Sequence, residues 1–183
     1  MKDFYDITIA GLDRKLPLCK LNEHVSIAGF VMFGDVEMTV ACAEALLKRA
    51  PRFDVILTAE SKGIPLAYEM SKQSGKVYIP ARKSAKFYMK EAIAVNVRSI
   101  TTEKIQTLYL DKSEVDRISG KKVLIVDDVI STGESIKALE QITSAAGGTV
   151  VAKMAVLAEG DSLERTDIIY LEPLPLFFNK DIE

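Results

Sequence analysis

Val123-Leu124-Ile125-Val126-Asp127-Asp128-Val129-Ile130-Ser131-Thr132-Gly133-Glu134-Ser135 is the stretch from which the rest of the chain is read. The apolar run from Val123 to Val126 is rich in β-branched residues and does not alternate with polar ones, as in a central parallel strand covered on both faces. Two carboxylates close that strand. In open α/β sheets the ends of such strands border the crevice where ligands bind. The small residues that follow open a helix.

Ser131, Thr132, Gly133 and Ser135 combine short hydroxyls with a residue free to take positive φ. Successive backbone amides, with that of Glu134 among them, can therefore converge on one anion at the helix start. A phosphate suits that cradle. Asp127 and Asp128 would repel it on contact, so they accept hydrogen bonds from sugar hydroxyls or help to hold a divalent cation. The combined pattern implies a sugar phosphate. A Walker loop is excluded, because Gly133 is followed by Glu134 where that motif needs Lys.

This stretch resembles the phosphoribosyl-pyrophosphate (PRPP) signature of the type I phosphoribosyltransferases. The wider chain is most similar to their adenine branch, through Phe30-Val31-Met32-Phe33-Gly34-Asp35, Glu60-Ser61-Lys62-Gly63, Ala81-Arg82-Lys83-Ser84-Ala85-Lys86 and Leu174-Pro175-Leu176-Phe177-Phe178. The resemblance implies that Asp127 and Asp128 hold the ribose hydroxyls and that residues 131–135 wrap the 5′-phosphate. It assigns the pyrophosphate to Glu60, Ser61, Lys62 and Gly63 together with Arg82, Lys83 and Lys86, Lys90 lying further along the same arm. It implies Mg2+, held mainly by PRPP near the two aspartates, and a homodimer. The expected reaction is transfer of ribose 5-phosphate from PRPP to a free purine, adenine first, with xanthine, guanine or hypoxanthine behind it. A PRPP-sensing regulatory module without catalysis is the alternative.

The base-facing half departs from the family. Phe33 matches the aromatic that stacks on the purine, but the Arg that follows it in the family is Gly34 here. Lys62 stands where the family usually has Arg, which keeps a point charge and loses a bidentate fork. Thr101, with Glu103 nearby, aligns with a lid Glu that assists the base. Glu159 and Gly160 occupy an apolar wall of the base pocket, so that the Glu159 carboxylate meets a purine N–H or amino group, or faces solvent.

Composition sets the outer bounds. A length of 183 residues with 48% hydrophobic content suits one domain over residues 1–183. The net charge of −2 argues against a nucleic-acid surface, and a lone His24 gives no support to a His triad or His-cluster metal site. Cys19 and Cys42 have no metal-ligand spacing and read as packing residues. No run approaches the ~20 apolar residues of a membrane span, and Met1 to Asp6 lacks a signal-peptide layout, so a cytoplasmic protein is expected.

Strands alternating with helices predict an α/β fold with a mostly parallel twisted sheet flanked by helices. Residues 1–33 read as a strand-rich hood and 82–110 as a flexible arm or lid. Helices are predicted from 36 to 50, 63 to 74 and 134 to 146, and strands at 54–59, 76–80, 106–110, 123–128, 149–157 and 166–171.

Overall fold

The computed structural model describes residues 3–89, 91–98 and 105–178. The chain begins with β1 (Phe4–Ile9), β2 (Leu12–Lys20) and β3 (Val25–Ala28), followed by α1 (Val36–Leu47), β4 (Val55–Ala59), α2 (Ile64–Ser74) and β5 (Val77–Ala81). A hairpin of β6 (Ile93–Arg98) and β7 (Ile105–Leu110) leads to α3 (Lys112–Ile118), β8 (Lys122–Ile130), α4 (Glu134–Ala145) and β9 (Thr149–Glu159). After a 3-10 turn at Gly160–Glu164 come β10 (Ile169–Leu174) and β11 (Leu176–Phe178).

Five strands form the central sheet in the order β10-β9-β8-β4-β5, and every neighbouring pair is parallel. Side chains of β8 leave on both faces in turn. Leu124 and Val126 join the cluster with Met38, Leu46, Leu66 and Met70 of α1 and α2, while Val123 and Ile125 join Ile118 of α3 and Ile136, Leu139 and Ile142 of α4. Both faces are buried, so selection favours apolar residues at every position of the strand. That is the physical origin of the unbroken apolar run.

The hood is a four-stranded antiparallel sheet in the order β1-β2-β3-β11. Its last strand comes from the far end of the chain, so the hood is not confined to residues 1–33. Ile7, Ile9, Leu16, Phe30 and Met32 share the core of α1 and α2. The hood is also tied down by charge: Arg14 of β2 donates to Asp35 through Nε at 2.7 Å and Nη2 at 3.0 Å, and Asp35 in turn accepts the Met38 amide to cap α1.

Three sequence expectations change here. The strand predicted at 123–128 continues to Ile130, which puts Asp127 and Asp128 inside β8. The arm is anchored at its root, since Arg82 and Tyr109 exchange backbone hydrogen bonds and Leu108 and Leu110 are fully buried. Helix α3 was not anticipated. Its start is signalled by Asp111 and Glu114, the Asp111 amide donating to Glu114 Oε2 at 2.9 Å.

The turn from α4 into β9 has little room. A Cβ at Gly148 would stand 2.6 Å from Ile118 Cγ2 and 3.0 Å from Val123 Cγ2. Gly148→Ala is therefore expected to destabilise the protein by about 1–3 kcal/mol through overpacking, measured as a lower urea midpoint with an unchanged slope.

Candidate active site

The carboxyl ends of β4, β8 and β9 meet where the sequence places its acids, and both aspartates are buried there. Asp127 is 6% exposed and Asp128 4%. Asp127 accepts from Ser61 Oγ at 3.3 Å and from the Asp128 amide at 3.0 Å. Burial, with the charge of Asp128 next, pushes the Asp127 carboxyl up to about 7.

Gly63 lets these elements close together. A Cβ there would lie 2.9 Å from Asp127 Oδ1 and 3.0 Å from Thr58 Oγ1. No other residue fits beside the acid without moving it.

Lys62 turns toward Asp128. Its Nζ stands 3.1 Å from Asp128 Oδ2 and donates to the Phe30 carbonyl at 3.0 Å. The Asp128 contact is ionic only, because Oδ2 accepts no hydrogen bond and is left with an open acceptor site. One ammonium thus joins the hood to the acid pair.

Glu60, the residue before Ser61, gathers the start of the arm. It accepts the Lys83 amide at 3.0 Å, while Lys86 Nζ and Arg82 Nη1 lie 3.3 and 3.8 Å from its Oε1. The Lys83 hydrogen bond, then Lys86 and Arg82, hold the Glu60 carboxyl below the usual range. The sequence grouped Glu60 with anion-binding residues. In the structure it instead positions the cations of residues 82–86.

Beyond β8, Gly133 takes φ of +75° and supplies no side-chain cap to α4, which begins at Glu134, whose amide donates to Thr132 Oγ1 at 3.5 Å. The helix start is left to offer its N–H groups outward. The loop is braced from outside by residues that sequence reading missed. The Ser162 hydroxyl donates to the Ser131 carbonyl, and the Arg165 guanidinium packs against the open side of Gly133, leaving no space for a Cβ. Asp167 fixes Arg165 through a two-point contact at 2.9 and 2.8 Å. No local motif marks Ser162 or Arg165, since they reach the loop only by the return of β9.

Phe33 is 60% exposed at the exit from the hood, and Glu159 is half-buried at the end of β9. Burial raises the Glu159 carboxyl, opposed by the charge of Lys62. Lys90, Thr101 and Glu103 lie outside the described residues. Among the described residues no three acidic, His or Cys side chains form a cage for a metal. Asp127 and Asp128 are adjacent oxygen donors at this edge, which suits a Mg2+ that takes most of its ligands from phosphates and water. No helix among the described residues is long and apolar enough to cross a membrane.

This geometry has relatives. The phosphoribosyl transferase domain family matches residues 41–172. The chain belongs to that family. Adenine phosphoribosyltransferase of Thermotoga petrophila is 32% identical over 131 residues, covering 72% of this chain and 69% of that protein. The purine biosynthesis transcriptional repressor PurR of Bacillus subtilis is 30% identical over 111 residues, 61% of this chain and 38% of the repressor. The chain spans roughly two thirds of the length of the enzyme relatives it matches, 69% of one and 63% of another. Solved adenine phosphoribosyltransferase from Thermoanaerobacter pseudethanolicus shares the fold, with a TM-score of 0.67 over 93% of this chain and 95% of that one at 22% identity. Asp127, Asp128 and the loop after them all fall within the matched phosphoribosyl transferase domain.

The buried acid carries a pH signature. A carboxyl whose pKa is raised on folding binds its proton more tightly in the folded state. Its contribution to stability is full below the ordinary value of 3.8 and is lost as pH rises to about 7. The urea midpoint of the wild type should accordingly fall between about pH 4 and pH 7 more steeply than that of Asp127→Asn, which has no such group.

Proposed function

We propose that this protein is a purine phosphoribosyltransferase, taking PRPP and a free purine, adenine first, to a nucleoside 5′-monophosphate and pyrophosphate. The observation that supports this reading is the adjacency, on one strand-loop-helix unit, of two buried acids and a helix start that follows Gly133 at positive φ. A sugar hydroxyl and a phosphate on the same ligand satisfy both at once.

In this reaction a ring nitrogen of the base bonds to the anomeric carbon as the bond from that carbon to pyrophosphate breaks. The base then releases a proton. Positive charge develops on the ribose ring and negative charge on the leaving group, and each needs a fixed partner. Asp127 and Asp128 accept the ribose hydroxyls and place negative charge beneath the ring. The amides of residues 131–135 hold the 5′-phosphate, so the sugar is oriented from both ends. Arg82 and Lys86, now on Glu60, are within reach of the leaving pyrophosphate, with the Lys83, Ser61 and Gly63 amides beside them. The arm that carries these cations closes over the substrate and keeps water from the reactive carbon. Asp127 and Asp128 would help to hold a Mg2+ bound with PRPP, whose charge would offset that of the departing pyrophosphate.

The similarity to PurR favours a second reading, a PRPP-sensing module without transfer. Release of pyrophosphate separates the two. With PRPP, Mg2+ and each of adenine, hypoxanthine, guanine and xanthine, the enzyme reading expects pyrophosphate with at least one base. Silence with all of them would reject it. Asp128→Asn should lower turnover on the order of a hundredfold through lost positioning of the ribose, and unchanged kinetics would remove that role.

The proposal includes a cytoplasmic homodimer. Val36 and Tyr68, 72% and 55% exposed, flank a largely apolar cleft of about 340 Å³ between α1 and α2 that a second copy would cover. Sedimentation should give twice the 20.2 kDa chain mass, and Val36→Asp with Tyr68→Glu should return the monomer.

A further inference from the structure

Arg165 has no part in the transfer chemistry described above, yet its guanidinium reaches the loop that opens α4. The residue follows the 3-10 turn Gly160–Glu164 at the end of β9. Its Nη1 lies against the position a Cβ would take on Gly133, and its Cζ is 3.6 Å from that position. Gly133 immediately precedes α4, a helix of 12 residues. A cation therefore stands at the amino end of a helix, which carries partial positive charge, whereas cations are favoured at the opposite end. Glu134 in the first turn offsets part of this cost, and an anion bound on the loop would turn the same juxtaposition into a gain.

Asp167 fixes the cation without consuming it. It accepts from Nε at 2.9 Å and from Nη2 at 2.8 Å, which sets the plane of the guanidinium and leaves Nη1, the third corner, turned to the loop. Asp167 also pairs with Lys153, whose ammonium donates to Glu140 of α4 at 2.7 Å, so one carboxylate is shared between two cations. The side chains of Arg165 and Asp167 are 29% and 50% exposed. Ion pairs so open to water add little to stability, and stability alone is a weak reason to seat a guanidinium against a glycine backbone.

The sheet order decides which anion is meant. Strands β9 and β4 flank β8 on opposite sides. Arg165 comes to the loop from the β9 side, while Glu60 and the cations of residues 82–86 gather at the end of β4. The two sets of charge therefore address different ends of one ligand. An anion on the amides of residues 131–135 meets the helix end and the guanidinium together. A doubly charged phosphoryl group gains from both, and a sugar hydroxyl in its place gains from neither.

We propose that Arg165, pinned by Asp167, is a positioning residue for the 5′-phosphate, holding the loop at Gly133 in its positive-φ form and placing a fixed positive charge behind it. This assignment rests on the phosphoribosyl-transfer reading above. It makes the terminal phosphomonoester, rather than the pyrophosphate, the part of the substrate whose binding depends on residues 165 and 167.

The test measures calorimetric Kd values for ribose 5-phosphate and for pyrophosphate with Mg2+, together with steady-state kinetics, for the wild type, Arg165→Gln, Arg165→Lys and Asp167→Asn. In Arg165→Gln the Kd for ribose 5-phosphate and the KM for PRPP should each rise about tenfold, as for loss of a charge-assisted contact, with kcat, the KM for the base and the Kd for pyrophosphate unchanged. Asp167→Asn, which frees the guanidinium, should fall between the two. Arg165→Lys keeps the charge and reports even where Arg165→Gln folds poorly; it should recover part of the affinity, and the recovered part should shrink as salt is added. Unchanged ribose 5-phosphate affinity in Arg165→Gln, equal losses for ribose 5-phosphate and pyrophosphate, or a loss in Arg165→Lys as large as in Arg165→Gln would overturn the role of Arg165 and leave the transfer reading standing. A wild type that binds neither ribose 5-phosphate nor PRPP would overturn both.

Discussion

The site is organised around two neighbouring carboxylates held inside a strand, in a place from which water is nearly excluded. Burying one such charge is costly, and burying two in sequence adds their mutual repulsion. The structure meets this with the Lys62 ammonium 3.1 Å from Asp128, while burial and the neighbouring charge raise the Asp127 carboxyl above its ordinary range. Close packing follows from the same need. Gly63 admits the backbone of the β4–α2 turn to within contact of Asp127, and Ser61 in that turn supplies a hydroxyl donor. In the proposed reaction the same pair is preorganised to accept hydrogen bonds from the hydroxyls of the ribose.

The same strand sets the position of the anion cradle. Because β8 continues to Ile130 before the chain bends, the amides that open α4 are carried just past the acids and not alongside them. A rigid offset of this kind separates the repulsive part of the ligand from the carboxylates while both remain on one crevice. The brace formed by Ser162 and Arg165 against the loop keeps that offset from being lost to loop motion. Arg165 is itself held by Asp167, which also pairs with Lys153 of β9, so the brace is rooted in the sheet.

The parts of the fold that depend on short-range pattern were legible in the sequence. Unbroken apolar runs at 55–57 and 123–126 mark strands buried on both faces, and Gly75 and Gly147 mark where α2 and the turn after α4 stop. Asp127, Asp128 and residues 131–135 could be singled out because they are contiguous, and the fold keeps them together at the end of β8 and the start of α4. What could not be read requires distant pieces to meet. The completion of the hood by β11, the turn of Lys62 toward Phe30 and Asp128, and the bracing by Ser162 and Arg165 are set by tertiary packing with no local signature. Helix α3 differs: Asp111 and Glu114 form a capping pattern, but at seven residues the helix is too short to show an apolar period.

Glu60 links the acid pair to the arm through charge. Its carboxylate holds the Lys83 amide and lies close to Lys86 and Arg82, so before ligand arrives the arm's cations are parked on a residue one position from Ser61. In the proposed reaction a pyrophosphate carries more negative charge than one carboxylate and would compete for the same cations. The exchange does not require the arm to move far, because its root is fixed by the Arg82–Tyr109 backbone pair. The energy such an exchange would give each cation is the difference between its contact with Glu60 and its contact with a more highly charged anion. A partly exposed ion pair contributes little by itself, so Glu60 can position these groups without holding them against the substrate.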